Sequence, residues 1–381
     1  MTSLLAVANA YGWVPKNLRQ GLGARRHPAG TTAPASGNLS LSTFSGQAPT
    51  FQQGNMITTS ITATGIIGGR GAPIPGTTSY AVAEDSCIKI VTAGGSVSVL
   101  AGLAGTQGQV NGTGAAARFI NPGALAVNPA GTLIAVADTP FNGQAGFIYA
   151  IRIITYPGGV VTTLCGNSNN TAGQIDGTGS GAGIGSIRSM AFRNATSIVA
   201  VDWTTIRIIT SATWSANTGV VVTVAGISFI GPPADGTGTA ARFRNSAITV
   251  TVMSPTMVAI HENYTVRIIT SSNWAVNTGV VVTVAGVDSF ASQADGTGAS
   301  ARFATIRALV YIPSTGALIA TDSAGSPAPY NLRRITSPTW AVNTGVVTTL
   351  GPTNGVSYGQ ILSLTNENLV WTGPNAIYII S

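Results

Sequence analysis

The chain has 381 residues, of which only 8% are charged, with 18 basic against 11 acidic side chains. An average soluble protein is roughly 25% charged, so neutral polar groups must cover this surface, which suits a particle, wall or assembly component better than a free cytosolic enzyme. No apolar run approaches the ~18 residues needed to span a bilayer. The two cysteines, Cys87 and Cys165, are too few for a disulfide framework and lack metal-ligand spacing.

Residues 1–37 form a basic, Gly/Pro-rich arm. Leu4 to Ala10 resemble a short signal core with an Ala-x-Ala end, but no positive charge precedes them, so the N-terminus is expected to be retained. Lys16, Arg19, Arg25, Arg26 and Arg70 meet no acid in the first 83 residues. Tyr11 and Trp13 have no repeat position to occupy and are expected to anchor the arm on an adjacent subunit. Arg19, Arg25 and Arg26 would contact carboxylates or carbonyls there. Nucleic acid is the less favoured partner.

From residue 38 onward the chain is repetitive. An Asn/Asp-Gly-Thr-Gly loop begins at Asn111, Asp176, Asp235 and Asp295, roughly 60 residues apart. Around it recur four short β-branched runs, called strands A to D. Strand B ends in AVAED (81–85), AVAD (135–138), VAVD (199–202), VAIHE (258–262), LIATD (318–322) and LVWTG (369–373). Strand C recurs as IKIVT (88–92), IRIIT (151–155 and 206–210), VRIIT (266–270), LRRIT (332–336) and IYIIS (377–381). Strand D recurs as VSVLAG (97–102), VTTLCG (161–166), VVTVAG (221–226 and 281–286) and VVTTLG (346–351). The last unit lacks a strand D, and LSTFSG (41–46) lacks its own A to C. The expected architecture is therefore all-β: residues 38–381 form one six-bladed propeller of four-stranded antiparallel blades, the N-terminal strand completing the last blade and removing free sheet edges.

The sequence DGTG-x-AARF, then strand A, VAD, IRIIT and GVVTVAG, resembles the NHL repeat over roughly residues 38–381. The match is specific in blades two, four and five and weaker in blade three, where Ala182-Gly183-Ile184 replaces the ARF element. Blades one and six lack the DGTG loop. The resemblance implies a propeller; the family's members range from binders of proteins or RNA to lyases and lactonases, so it implies no single activity.

Nine of the 11 acids occupy repeated positions, at the DGTG loops or the ends of strands B, leaving Asp288 and Glu367 outside them. Such acids are expected to bond turn amides, or to pair with the arginine of the next strand, as Asp202 with Arg207 and Glu262 with Arg267. His261 is the one histidine in the repeats, too few for a multi-histidine metal site. The loop glycines precede neither a lysine nor a helix, which excludes a phosphate loop. No catalytic residue, metal or cofactor is expected.

Loops hold the remaining candidates. Blade two has a long B–C connection with Phe141, Phe147 and Tyr149, and blade five another with Tyr330. On the opposite face the C–D hairpins of blades three, four and five carry Trp214, Trp274 and Trp340. These three are either a docking stripe or packing against the blades. The expected function is a non-enzymatic structural or adhesive component of an extracellular or viral particle, such as a phage tail or head-decoration protein, in a symmetric assembly with other subunits. The alternative is a secreted or cell-surface propeller that binds a glycan, peptide or other ligand.

Overall fold

The computed structural model describes residues 71–92, 96–140, 148–166, 174–228, 231–244, 249–323, 330–352, 360–365, 368–373 and 376–380. The arm and the expected closing strand at 41–46 lie outside the described residues. The protein is a β-propeller whose first strands, A, neighbour one another from blade to blade around the axis. Blade one comprises Gly71–Pro73, Ser79–Glu84, Cys87–Thr92 and Val97–Gly102. Blade two comprises Pro122–Val127, Leu133–Asp138, Ala150–Thr155 and Val160–Gly166. Blade three comprises Ile187–Asn194, Ser197–Asp202, Thr205–Thr210 and Val220–Gly226. Blade four comprises Val250–Ser254, Met257–His261, Thr265–Thr270 and Val280–Gly286, and blade five Ile306–Ile312, Ala317–Ser323, Tyr330–Thr336 and Val346–Pro352.

The expectation of six four-stranded blades is corrected: five such blades are present. The C-terminal strands Gln360–Thr365, Asn368–Gly373 and Ala376–Ile380 form a three-stranded sheet instead. The repeat count reached six by crediting these three strand-forming runs with a fourth at 41–46, outside the described residues; among the described residues the last unit has three strands.

Burial follows from each blade lying between two others. Strand B of blade three, SIVAVD, is buried at every residue, and strand C, TIRIIT, at all but its last. Both faces of these strands meet neighbours, so their sequences run continuously apolar and do not alternate. The core is a series of layers between blades. One joins Ile88 and Ile90 of blade one to Leu125, Ile134 and Val136 of blade two; another joins Ile206 and Ile208 of blade three to Val250, Val258 and Ile260 of blade four.

The recurring loop seals the outer edges. Gly236–Thr237 pairs with Val280 and Val281 of strand D, and the Asp235 carboxylate accepts from the Thr283 N–H at 2.7 Å and from its hydroxyl at 2.9 Å. The C–D hairpin of each following blade covers the rest: Asn277 N–H donates to Thr223 O and Gly279 N–H to Val224 O, each at 3.0 Å. Edge groups that would otherwise invite a foreign strand are thus occupied. Blade one departs from this pattern, with Val99, 52% exposed, where the other blades have the latched threonine.

Candidate ligand-binding face

The strand C arginines of blades two to five are paired internally. Arg207 reaches from strand C to Asp202 at 3.1 Å and Asp176 at 3.1 Å, and also donates to the Gly183 and Ile175 carbonyls. Arg267 joins Glu262 at 3.2 Å and Asp235 at 2.9 Å; Arg333 joins Asp322 at 2.8 Å and Asp295 at 3.0 Å. In blade two, where Asn111 replaces the loop acid, Arg152 joins it at 2.9 Å and Asp138 at 3.1 Å. Phe119, Phe243 and Phe303 lie beneath three of these guanidinium groups at 4.9–5.2 Å. Burial raises the pKa of the Asp138 and Asp202 carboxyls, and the facing arginines oppose that rise. Each cluster is a buried staple between strands and loop. Each of these acids is held by an arginine.

His261 is fully buried at the end of its strand, and desolvation pushes its pKa down to about 4. Nδ1 faces the Glu262 carbonyl at 3.4 Å and Nε2 faces the Thr249 hydroxyl at 3.2 Å. A carbonyl only accepts, so the proton sits on Nδ1 and Nε2 accepts from Thr249. The contact has the outline of a hydroxyl nucleophile with its base, but a ring held this strongly neutral, with no carboxylate behind it, is a poor proton acceptor at neutral pH. Among the described residues no group of three or more His, Cys, Asp or Glu side chains is placed to hold a metal.

The histidine has a consequence for stability. The unfolded chain binds a proton below pH 6.5, whereas the folded chain resists it down to about pH 4. Folding therefore loses stability as pH falls through that window, by about 3 kcal/mol. His261→Asn should lack this contribution. Denaturant titrations at pH 7, 5.5 and 4.5 are expected to show the gap between wild type and variant narrowing as pH falls; parallel curves would remove His261 from the account.

The hairpin tryptophans belong to the core. Trp214 and Trp274 are 7% and 4% exposed, and their indole N–H groups donate to Ala195 O at 2.8 Å and Pro255 O at 2.9 Å. Phe192 meets the Trp214 ring edge-on at 5.1 Å, and Arg193 of blade three stacks over Trp274 of blade four at 5.4 Å. Trp340 is partly buried against the layer between blades four and five. All three have φ near +54°, and burial and hydrogen bonds offset that backbone cost. Tyr149 is half-buried before strand C of blade two, and Tyr330 opens strand C of blade five. Phe141, Phe147, Tyr11, Trp13, Arg19, Arg25 and Arg26 lie outside the described residues.

Sequence reading missed a different set of groups on the face of the B–C and D–A connections. Trp203, in the B–C turn of blade three, is 40% exposed. Its φ is +54°, in the left-handed region where Gly or Asn is more stable. Unlike those of Trp214 and Trp274, its indole makes no hydrogen bond among the described residues. Its backbone N–H donates to Ser186 O at 3.3 Å, next to the entry of strand A. There Arg188 sits in the bulge between the Ile187 and Ser189 pairings. Arg307 occupies the same kind of bulge in blade five, between Ile306 and Ala308. The Ile306 N–H donates to Asn263 O at 2.8 Å, so the blade-four turn carrying Tyr264 abuts Arg307. Both arginines sit in ladder irregularities, which no strand pattern reveals.

No family model and no curated protein sequence matches the chain. Among solved structures it is similar to an auxiliary nutrient binding protein from Bacteroides thetaiotaomicron, at 11% identity over 83% of this chain and 69% of that one, with a TM-score of 0.53. It is similar to another auxiliary nutrient binding protein from Bacteroides ovatus, at 12% identity over 84% and 69%, with a TM-score of 0.53. A putative phosphatase from B. thetaiotaomicron is similar at 11% identity over 82% and 71%, with a TM-score of 0.50. These likenesses extend to the fold, and the NHL resemblance rests on the motif residues alone.

Proposed function

We propose that the protein is a non-enzymatic, ligand-binding propeller that works outside the cell or at its surface and takes its ligand on the face of the B–C and D–A connections. The observation that carries this reading is Trp203, an aromatic side chain held in a turn position that disfavours it, 40% exposed and with no hydrogen bond from its indole N–H among the described residues. Backbone strain of this kind costs about 1–3 kcal/mol and clusters at functional sites. The two Bacteroides proteins named for nutrient binding agree with a binding role. The expected particle component is not retained, since neither the site nor the structural neighbours point to a virion. No helix among the described residues is long and apolar enough to cross a membrane.

The test is a glycan and peptide array probed with the full chain and with Trp203→Asn. The wild type is expected to retain one ligand class and the variant to lose at least about tenfold in affinity, or about 1.4 kcal/mol. Its melting temperature should be unchanged or higher, because Asn tolerates positive φ. Equal binding by the two proteins would refute the reading.

A further inference from the structure

We infer that the outer strand of blade one, Val97–Gly102, is a dimerisation edge: it takes the same strand of a second copy of this chain, antiparallel, with Ser98 facing Ser98 across a two-fold axis. The register of the blades places Val97 with Val161, Val221, Val281 and Val347, each opposite the last apolar residue of its strand C. Those four are at most 1% exposed, whereas Val97 is 42% exposed. Val99 stands where the other blades have the latched threonine, and Ser98 between the two valines is exposed as well.

The difference lies in the cover. In blades two to five the recurring loop pairs with the start of strand D and its Asn or Asp side chain bonds the threonine. No acid precedes Glu84 in the sequence to do the same for blade one. In blades two to four the long hairpin of the next blade also donates to the threonine carbonyl, from Asn217, Asn277 and Asn343 at 3.0 Å each. The blade-two turn that follows blade one is short and abuts Leu100, where a methyl group on Gly159 would lie 2.6 Å from the Leu100 carbonyl oxygen. The latched threonine turns both backbone groups out of its sheet: Thr223 N–H donates to Asp176 at 2.9 Å, and its carbonyl accepts from Asn277. Val99 shares that register, and Val97, two residues before it, points the same way. Neither valine has a partner for these outward groups among the described residues.

An open edge of this kind is a template for another strand, and its sequence selects a copy of itself. Val97 and Val99 are symmetric about Ser98. When Ser98 lies opposite its own copy, Val97 of each chain faces Val99 of the other, and both pairs exchange their two N–H···O bonds. The outward groups are then satisfied, and the valines meet as β-branched cross-strand pairs. A shift of one residue would set them against groups turned inward on the partner. Charge favours the same occupant. Two chains of net charge +7 repel in general, but no charged residue lies between Lys89 and Arg118. The neighbouring blade-two loop, whose turn Gly114–Ala116 packs on this strand, carries Asn111 where other blades carry an acid. A charged partner strand would find no counter-charge here.

Sedimentation equilibrium of the full chain over a wide concentration range is expected to show monomer and dimer in exchange. Ser98→Lys sets like charges opposite each other on the axis, and Val99→Pro removes an outward N–H that the blade's own ladder does not use. Each should weaken dimerisation at least about tenfold, with the melting temperature at monomer concentrations unchanged. Ser98→Cys tests the register. Facing residues of a non-hydrogen-bonded pair have Cα atoms about 4.5 Å apart, within disulfide reach, so mild oxidation should link this variant into a covalent dimer. Val97→Cys, whose new thiol would lie opposite a valine, should not link, nor should the wild type, whose Cys87 and Cys165 are buried. A chain that stays monomeric at every concentration would overturn the inference and leave the edge to other residues of the same chain or to a different partner. A dimer that survives both Ser98→Lys and Val99→Pro, or that links through Val97→Cys in preference to Ser98→Cys, would overturn it as well, because another surface or register would then be in use.

Discussion

Replacing Arg267 by alanine is expected to lower the unfolding free energy by about 3–5 kcal/mol, the usual result of removing one partner from a buried ion pair. The side chain is 1% exposed. It satisfies Glu262 and Asp235, bonds the Arg242 and Ala234 carbonyls and lies 4.9 Å from the Phe243 ring centre. Its loss leaves Glu262 charged in a site that burial already makes hostile to charge. Asp235→Asn is the informative control. That carboxylate is 34% exposed, so solvent screens it and the loss should stay within about 1 kcal/mol. Urea unfolding of both variants measures the difference. Similar losses would mean that Arg267 acts mainly by tethering the loop, not by compensating a buried charge.

Gly238→Ala should produce a loss of similar size through sterics. Gly238 has φ +56°, and a methyl group there would lie 2.5 Å from the Asn277 carbonyl oxygen. The left-handed backbone costs an alanine about 1–3 kcal/mol, and the collision adds about 1–3 kcal/mol more. The obstruction pushes on the hairpin that seals the outer strand of blade three, and it breaks the 2.9 Å bond from Gly238 N–H to Gly279 O. Gly181, whose added methyl would meet nothing within 4 Å, is the matched control and should tolerate alanine. Thermal melts that fail to separate the two variants would contradict this account.

These contrasts mark what the amino-acid pattern could and could not convey. The DGTG, IRIIT and VVTVAG runs recur because every blade needs the same strands, loop and staple, so the propeller class and the Asp202–Arg207 and Glu262–Arg267 pairs were legible. The number of complete blades was not, because the fourth strand of the last unit had to be borrowed from residues 41–46. Trp214, Trp274 and Trp340 drew attention because they recur on loops, yet recurrence signals a packing need shared by blades. Trp203 occurs once, in a short turn, and neither its positive φ nor its exposure is written in residue type. Arg188 and Arg307 look like ordinary strand residues until the bulges that hold them are seen.

The seal between blades also has a direction. The hairpin of blade three covers strand D of blade two, that of blade four covers blade three, and that of blade five covers blade four, where Asn343 N–H donates to Thr283 O and Gly345 N–H to Val284 O. Removing a repeat from the C-terminal side therefore bares the carbonyls of the repeat before it, whereas removing blade one leaves the outer strands of blades two to four covered. Loss of blade one would bare only the apolar layer it shares with blade two, whereas loss of a repeat on the C-terminal side bares an apolar layer and a row of edge carbonyls together.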